Sequence, residues 1–343
     1  MNVAMDGFEL LKQNTRASYL YFRSTLNANE QKAYDKMLEG FFDFSDKISI
    51  HGVNMDSIQT VFHKIKQDVP GLFFVENASF QYTPLTGAGS VLPKYRFDKA
   101  KANATLIALC TKCRDVLQKA YSMPDIEKEK AIHDYLCNNV VYDYAFAESS
   151  FECVGPLLFG KGVCEGISRA AKMLFDFAGV KSLVVHGESN QQQGITNSSS
   201  NLHAWNMVNI NGEFYHLDIT FDLTIQTFGV VRYDYFNLSD RGICVDHIIH
   251  STALPACNRE NSYYRTHGMF MQTQKDFRDY LVKCFKTKQK DIVFQVPIVS
   301  DVERVKKEIM DIVSKNAYKG FLFSSQYQLA SNETQFVFHV HIQ

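Results

Sequence analysis

The chain has no apolar run approaching the ~20 residues that a helix needs to cross a bilayer. It also has no excess of charge of either sign: 36 Lys and Arg face 37 Asp and Glu, a formal net charge of -1 over 343 residues. Gripping phosphates requires a basic excess somewhere on the surface. No basic cluster supplies one, so neither nucleic acid nor an anionic membrane is an expected partner. The first residues lack the continuous apolar stretch of a secretory leader. The chain therefore reads as cytoplasmic, or as secreted if a leader preceded it. Eight cysteines are too few for a disulfide scaffold of this length, and they are expected as reduced thiols. Sequons such as Asn77-Ala-Ser79 then carry no meaning, because glycosylation needs secretion. No internal repeat and no strong linker is found. Tryptophan is nearly absent, with one residue, so the aromatic bulk of the cores must come from 27 Phe and 17 Tyr.

What is present is a globular composition, 45% hydrophobic and 21% charged. The length suits two or three domains. Asn27 followed three residues later by Glu30 reads as a helix start, with Ala33, Met37, Leu38, Phe41 and Phe42 at helical spacing. Ile58, Val61, Phe62 and Ile65 mark a second helix, closed by Pro70-Gly71. Short strands are expected over 72–96, and helices over 98–121 and 125–138. From 140 to 250 the chain turns β-rich around a helix at 164–178, with strands at 181–187, 202–210 and 213–220. The tail from 268 reads helix, strand, helix, then two strands. In its last strand Phe336, Phe338, Val340 and Ile342 share one face, while Val337, His339 and His341 share the other.

The chemistry concentrates in the centre. In Gly160-Lys-Gly-Val-Cys164-Glu-Gly166, glycines flank a cysteine. A helical apolar face follows, made of Ile167, Ala171, Leu174, Phe175 and Ala178, and Gly179 ends the run. Cys164 is thus expected at a helix N-terminus, where unpaired N–H groups and the helix dipole favour thiolate. The glycines are expected to let a substrate backbone approach. Taken alone, the segment better suits a buried structural cysteine in a glycine-rich loop.

His203-Ala-Trp-Asn-Met-Val-Asn-Ile210 and Glu213-Phe-Tyr-His-Leu-Asp-Ile-Thr220 flank Asn211-Gly212, a strong hairpin signal. A two-residue turn sets Trp205 opposite Asp218 and His203 opposite Thr220. His203 and Asp218 are then diagonal neighbours on one face, and a slip of one residue would separate them. Ala204, Val208, Ile210, Tyr215, Leu217 and Ile219 form the opposite, core face. A hairpin presenting His and Asp beside a helix-capping Cys suits an activated thiol. His203 would take the thiol proton, and Asp218 would fix the imidazole's tautomer.

These three motifs, in the order Cys, His, Asp, strongly resemble those of the transglutaminase-like superfamily, which has a papain-like fold. Ala131-Ile-His-Asp-Tyr-Leu136, Val141-Tyr-Asp-Tyr144 and Tyr235-Phe-Asn-Leu-Ser239 resemble the segments that surround the triad in bacterial members. At Phe221-Asp222 the chain departs from them, since they commonly carry Trp before that Asp; Phe keeps the packing role. The resemblance covers about 125–250.

It implies an α+β protein with a papain-like core, in which a helix bearing the cysteine packs on an antiparallel sheet bearing His and Asp. It implies Cys164 as nucleophile, His203 as base and Asp218 as orienter, with the Cys164 backbone N–H as one oxyanion donor. Tyr142 is a candidate second donor, or else an aromatic core residue. Trp205 is expected beside the site, shielding the imidazole–carboxylate contact. The domains expected are 1–122 (α+β, accessory), 123–255 (catalytic) and 268–343 (small, α+β). The implied reaction is thiol-dependent acyl transfer or hydrolysis on a peptide or protein amide, with no cofactor or metal. The rival is a catalytically silent binding module on the same scaffold. The oligomeric state is not legible. The polar segment 187–201 is either a substrate-contacting loop or a plain insertion.

Other signals are weaker. Cys110-Thr-Lys-Cys113 has no second Cys/His pair at zinc spacing and sits in a helix. Asp246-His247 and His250 suggest metal ligands, but no regular cluster backs them. His133 and Asp134 are expected to pack and cap. No EF-hand loop is present, so a calcium dependence is not expected.

Overall fold

The computed structural model describes residues 6–190, 201–250, 253–297, 301–318 and 326–343. The fold is α+β, as expected. In the N-terminal part, polar caps start the helices. Asp6 caps Gly7–Ala17, Asn27 caps Ala28–Phe42 in a capping box with Glu30, Asn54 caps Met55–Asp68, and Asp98 caps Lys99–Leu117. These helices surround an antiparallel sheet of β1 (Ile48–His51), β2 (Val75–Thr83) and β3 (Ala88–Tyr95), in the order β1-β3-β2. Phe8, Tyr34, Phe41, Ile58, Val61 and Phe74 fill its interior. That apolar cluster continues without a break through Leu136 to Ile167, Leu174 and Phe175 of the central part. The boundary expected near 122 falls between the Lys99–Leu117 and Asp125–Asn139 helices, and the cluster runs across it.

Two short strands, β4 (Val141–Tyr142) and β5 (Lys161–Gly162), pair in parallel just before the Cys164–Ala178 helix. The helix lies on an antiparallel sheet of β6 (Ser182–Ser189), β7 (Leu202–Ile210), β8 (Glu213–Leu217), β9 (Phe236–Leu238) and β10 (His247–Ile249), in the order β10-β6-β7-β8-β9. Asn211 and Gly212 both adopt positive φ, 54° and 90°, as a tight β-hairpin turn requires. The expected register is the observed one, from Ile210↔Glu213 to Asn206↔Leu217. Val208, Ile210, Tyr215 and Leu217 face the cysteine helix, while Trp205 and Met207 build a second cluster on the opposite side with Phe221, Tyr235 and Ile243.

The tail follows the expected order. β11 (Asp291–Gln295), β12 (Tyr327–Asn332) and β13 (Val337–Ile342) form a sheet in the order β11-β13-β12. The helices Gln274–Lys286 and Val302–Tyr318 cover one face through Phe277, Leu281, Phe285 and Ile309. The alternation in β13 gives that face Phe336, Phe338, Val340 and Ile342. The other face is covered too. Thr227 hydrogen-bonds His339, Phe228 stacks on His341, and Gln335 donates to the Gly242 carbonyl. Among the described residues no helix is long and apolar enough to cross a membrane.

Candidate active site

Cys164 is the first residue of its helix and is partly exposed. N–H groups in a first turn have no intrahelical acceptor, so they face outward beside the sulfur. The flanking glycines have a reason other than the expected one. A Cβ on Gly162 would stand 2.6 Å from the Pro156 ring, and one on Gly166 2.1 Å from the Ser150 carbonyl oxygen. They leave room for the Pro156 ring and for the Ser150 backbone. Next to the cysteine, Glu165 accepts from Arg169 Nε at 2.6 Å and His186 Nε2 at 2.8 Å. Burial works against its charge, but Arg169 and His186 outweigh burial and hold the carboxyl down at about 2.

Side-chain bonds to backbone carry the histidine strand onto the cysteine helix. Ser168 Oγ is shared between the carbonyl oxygens of Cys164, at 2.8 Å, and Ala204, at 3.0 Å. Asn206 Nδ2 donates to the Ser168 carbonyl at 3.0 Å. His203 sits at the start of β7, opposite Gly187. Its Nε2 donates to Asp218 Oδ2 at 2.6 Å, and the Cys164 thiol is near enough to favour the charged ring.

Asp218 corrects the hairpin reading. The alternation expects it inside a strand reaching Thr220, but β8 ends at Leu217. Asp218 is the N-cap of the Ile219–Thr224 helix, and its Oδ1 accepts from the Phe221 N–H at 3.1 Å. Thr220 is therefore helical and does not oppose His203. The carboxylate still meets the imidazole because the cap directs it back along the sheet. Burial disfavours charge on His203, but the Asp218 carboxylate, its hydrogen bond and the Cys164 thiol win, and the imidazole is held up at about 10. For Asp218, burial opposes ionisation, yet His203 and His247 hold it well below the usual carboxylate range.

Tyr142 on β4 lies opposite Gly162 and is half-buried, with its ring 5.0 Å from that of Tyr144. Burial and then the charge of Cys164 push its hydroxyl pKa up. Trp205 is fully buried, its ring 5.9 Å from His203 and nearly parallel to it. Its indole N–H donates to His216 Nδ1 at 3.0 Å, so the proton of His216 lies on Nε2, which donates to Asp240. Phe221 packs 4.9 Å from the His203 ring, in the role expected for it. Of the segment 187–201, residues 187–189 belong to β6, and 191–200 lie outside the described residues.

Sequence reasoning left aside a histidine that the fold brings to the triad. His247, on the edge strand β10, donates from Nε2 to Asp218 Oδ2 at 3.0 Å and from Nδ1 to Asp246 at 2.6 Å. The pairing of β10 with β6, His247↔Ser189, puts it there. Asp246-His247 was visible in the sequence only as a possible metal pair. His203, Asp218 and His247 do bring three ligand atoms within 4.8 Å, as do His216, Asp240 and Cys257. In the first group both histidines turn a nitrogen onto one carboxylate oxygen at hydrogen-bond distance, which is a proton-sharing network. His250 bonds Glu188 at 3.1 Å.

Cys110 and Cys113 are buried in the Lys99–Leu117 helix. His133 joins the Asp125–Asn139 helix to Asp222 through Nε2 at 3.1 Å, a packing role as expected, and its neighbour Cys137 is buried. Burial raises the seven other thiols, Cys110 to about 11 and Cys113, Cys137, Cys153, Cys244, Cys257 and Cys284 likewise upward.

Residues 112–219 match the family model of the transglutaminase-like superfamily. The chain is 26% identical over 166 residues to mouse kyphoscoliosis peptidase, covering 44% of this chain and 25% of that protein. It is 31% identical over 113 residues to the human protein of the same name, covering 31% of this chain and 17% of that one. A solved structure described as a TGase aligns with 51% of this chain and 50% of its own, at 15% identity and a TM-score of 0.30. The chain thus spans a quarter or less of the curated relatives' length. The stretch that matches the transglutaminase-like superfamily model holds Cys164, His203 and Asp218.

Proposed function

We propose that this domain performs thiol-dependent acyl transfer or hydrolysis on peptide or protein amides. The observation that carries the reading is the His203 imidazole, bonded to Asp218 through Nε2 at 2.6 Å and influenced by the nearby, partly exposed Cys164 thiol. In this reading His203 takes the thiol proton and the thiolate attacks the amide carbonyl carbon. The oxyanion forms beside the Cys164 backbone N–H and the Tyr142 hydroxyl. The imidazolium returns its proton to the leaving amine, and a thioester remains on Cys164. A second acceptor, with His203 now as its base, releases the acyl group and restores the thiol. Asp218 keeps the imidazole's tautomer and stabilises its charged form throughout. Trp205 and Phe221 keep water from the His203–Asp218 bond.

Water is the default acceptor unless a site excludes it, so hydrolysis is preferred over transfer to an amine. The word peptidase in the names of both curated relatives supports that arm. Exposed Tyr144 and Leu202, beside Tyr142 and His203 in the chain, offer apolar contact to a peptide. The test is a panel of general and glutamine-containing peptides, with and without a primary amine, against the protein and its Cys164→Ala variant. Release of free acid that depends on Cys164 supports a hydrolase, and amine incorporation supports a transferase. No Cys164-dependent product overturns the reading.

A further inference from the structure

His247 stands between two carboxylates. Its Nε2 is 3.0 Å from Asp218 Oδ2 and its Nδ1 is 2.6 Å from Asp246 Oδ1. An ionised carboxylate only accepts, so both ring nitrogens must donate and the ring is an imidazolium. The three side chains are fully buried, where an unpaired charge is costly. Asp246 is itself fixed by the Tyr235 hydroxyl at 2.6 Å, and Tyr235 accepts from Asn332 of β12 at 3.3 Å. A hydrogen-bonded row thus runs from the C-terminal sheet through Tyr235, Asp246 and His247 to Asp218, and on to His203.

We propose that His247 is a positioning residue of the active site, holding Asp218 Oδ2 on His203 and tempering the carboxylate with its own positive charge. The proposal rests on the reading of Cys164 and His203 given above. Without His247, Asp218 keeps only its cap bond from Phe221 besides His203, and the oxygen facing His203 loses its second donor. The groups that face the His247 ring are Asp218 on the hairpin side, Asp246 just before its strand, Tyr235, and His203 and His216 on β7 and β8; Trp205 and Phe221 supply the apolar walls. The two imidazoliums repel, so His247 holds the pKa of His203 below what Asp218 alone would give. Burial opposes charge on His247 as well, and the two carboxylates outweigh it.

Iodoacetate provides the test. Its attack needs the Cys164 thiolate, and its negative charge is drawn in by the imidazolium, so the alkaline limb of its rate reports the loss of the His203 proton. His247→Gln keeps a donor for Asp218 and removes the charge. It is expected to keep most of the rate at neutral pH and to move the alkaline limb to higher pH. His247→Ala loses both and is expected to lower Cys164 alkylation and turnover about tenfold, the lower end of what the loss of such a supporting partner costs, through kcat and not KM. Thermal melting identifies a variant that has not folded, and the Gln profile then decides alone. An alkaline limb unmoved in His247→Gln overturns the proposal while leaving the proposed function standing. Slow Cys164 alkylation already in the unsubstituted protein overturns the proposed function, and this inference with it.

Discussion

Asn206 donates from its side chain to the Ser168 carbonyl oxygen at 3.0 Å, joining the strand that begins with His203 to the helix that begins with Cys164. Both partners are buried. Asn206→Leu keeps the volume and leaves that carbonyl with one donor fewer in an apolar setting. A loss of ~1–3 kcal/mol is expected, read as a lower urea midpoint. Cys164 alkylation should slow in the same variant, because the strand loses a tie that sets its distance from the thiol.

Gly166→Ala sets two effects against each other. Helix propensity favours alanine by about 1 kcal/mol. The added Cβ would meet the Ser150 carbonyl oxygen at 2.1 Å, a backbone atom that can move only with the loop preceding the cysteine. Overpacking of that kind costs ~1–3 kcal/mol and sometimes more. The variant is expected to melt below the native protein, and one that melts above it would contradict the packing described.

Glu129 is fully buried, and burial raises its carboxyl to about 8 despite a bond from Asn237 at 2.9 Å. Its folded pKa lies above the unfolded value, so the folded state binds the extra proton. The associated stability is present below the unfolded pKa and is lost as pH rises through about 8. Glu129→Gln stays neutral at every pH. It should be more stable than the native protein at pH 9 and similar to it at pH 4, measured by chemical denaturation at both.

Asp218→Asn should leave the helix cap, because the amide oxygen still accepts from Phe221, while losing most Cys164-dependent turnover. The corresponding change in a serine-protease triad costs ~10⁴-fold in kcat, through the wrong imidazole tautomer. Thermal melting and turnover on one preparation separate the two roles. Turnover within a few fold of native would remove Asp218 from the mechanism.

Several parts of this arrangement were legible in the sequence and others were not, for definite reasons. The hairpin register was legible because Asn211-Gly212 fixes the turn and the apolar alternation fixes the face. The end of β8 was not. Ile219 and Thr220 continue the β-branched alternation, and only the preference of Asp218 for capping, through the Phe221 N–H, turns the chain into a helix there. His247 was beyond reach because its partner Asp218 lies 29 residues away and the edge pairing with β6 has no local signature. The alternation in β13 showed its apolar face correctly, but the polar face around His339 is also buried, under a segment near Thr227 that is 112 residues distant. His133, Cys137 and Asp222 show the reverse hazard. They also assemble a thiol, an imidazole and a carboxylate, yet Cys137 is sealed in the core.

Activation of Cys164 by His203 and Asp218 shows most directly in the reactivity of one thiol among eight. Brief exposure of the folded protein to iodoacetamide near neutral pH, followed by mass spectrometry of each cysteine peptide, measures it. Cys164 is expected to be modified first and to slow markedly in His203→Ala. Cys244 is the internal control, because it is exposed while burial, Asp240 and Asp246 raise its thiol. Labelling of Cys244 as fast as Cys164, or a Cys164 rate unchanged in His203→Ala, would contradict the claim that His203 and Asp218 activate this cysteine.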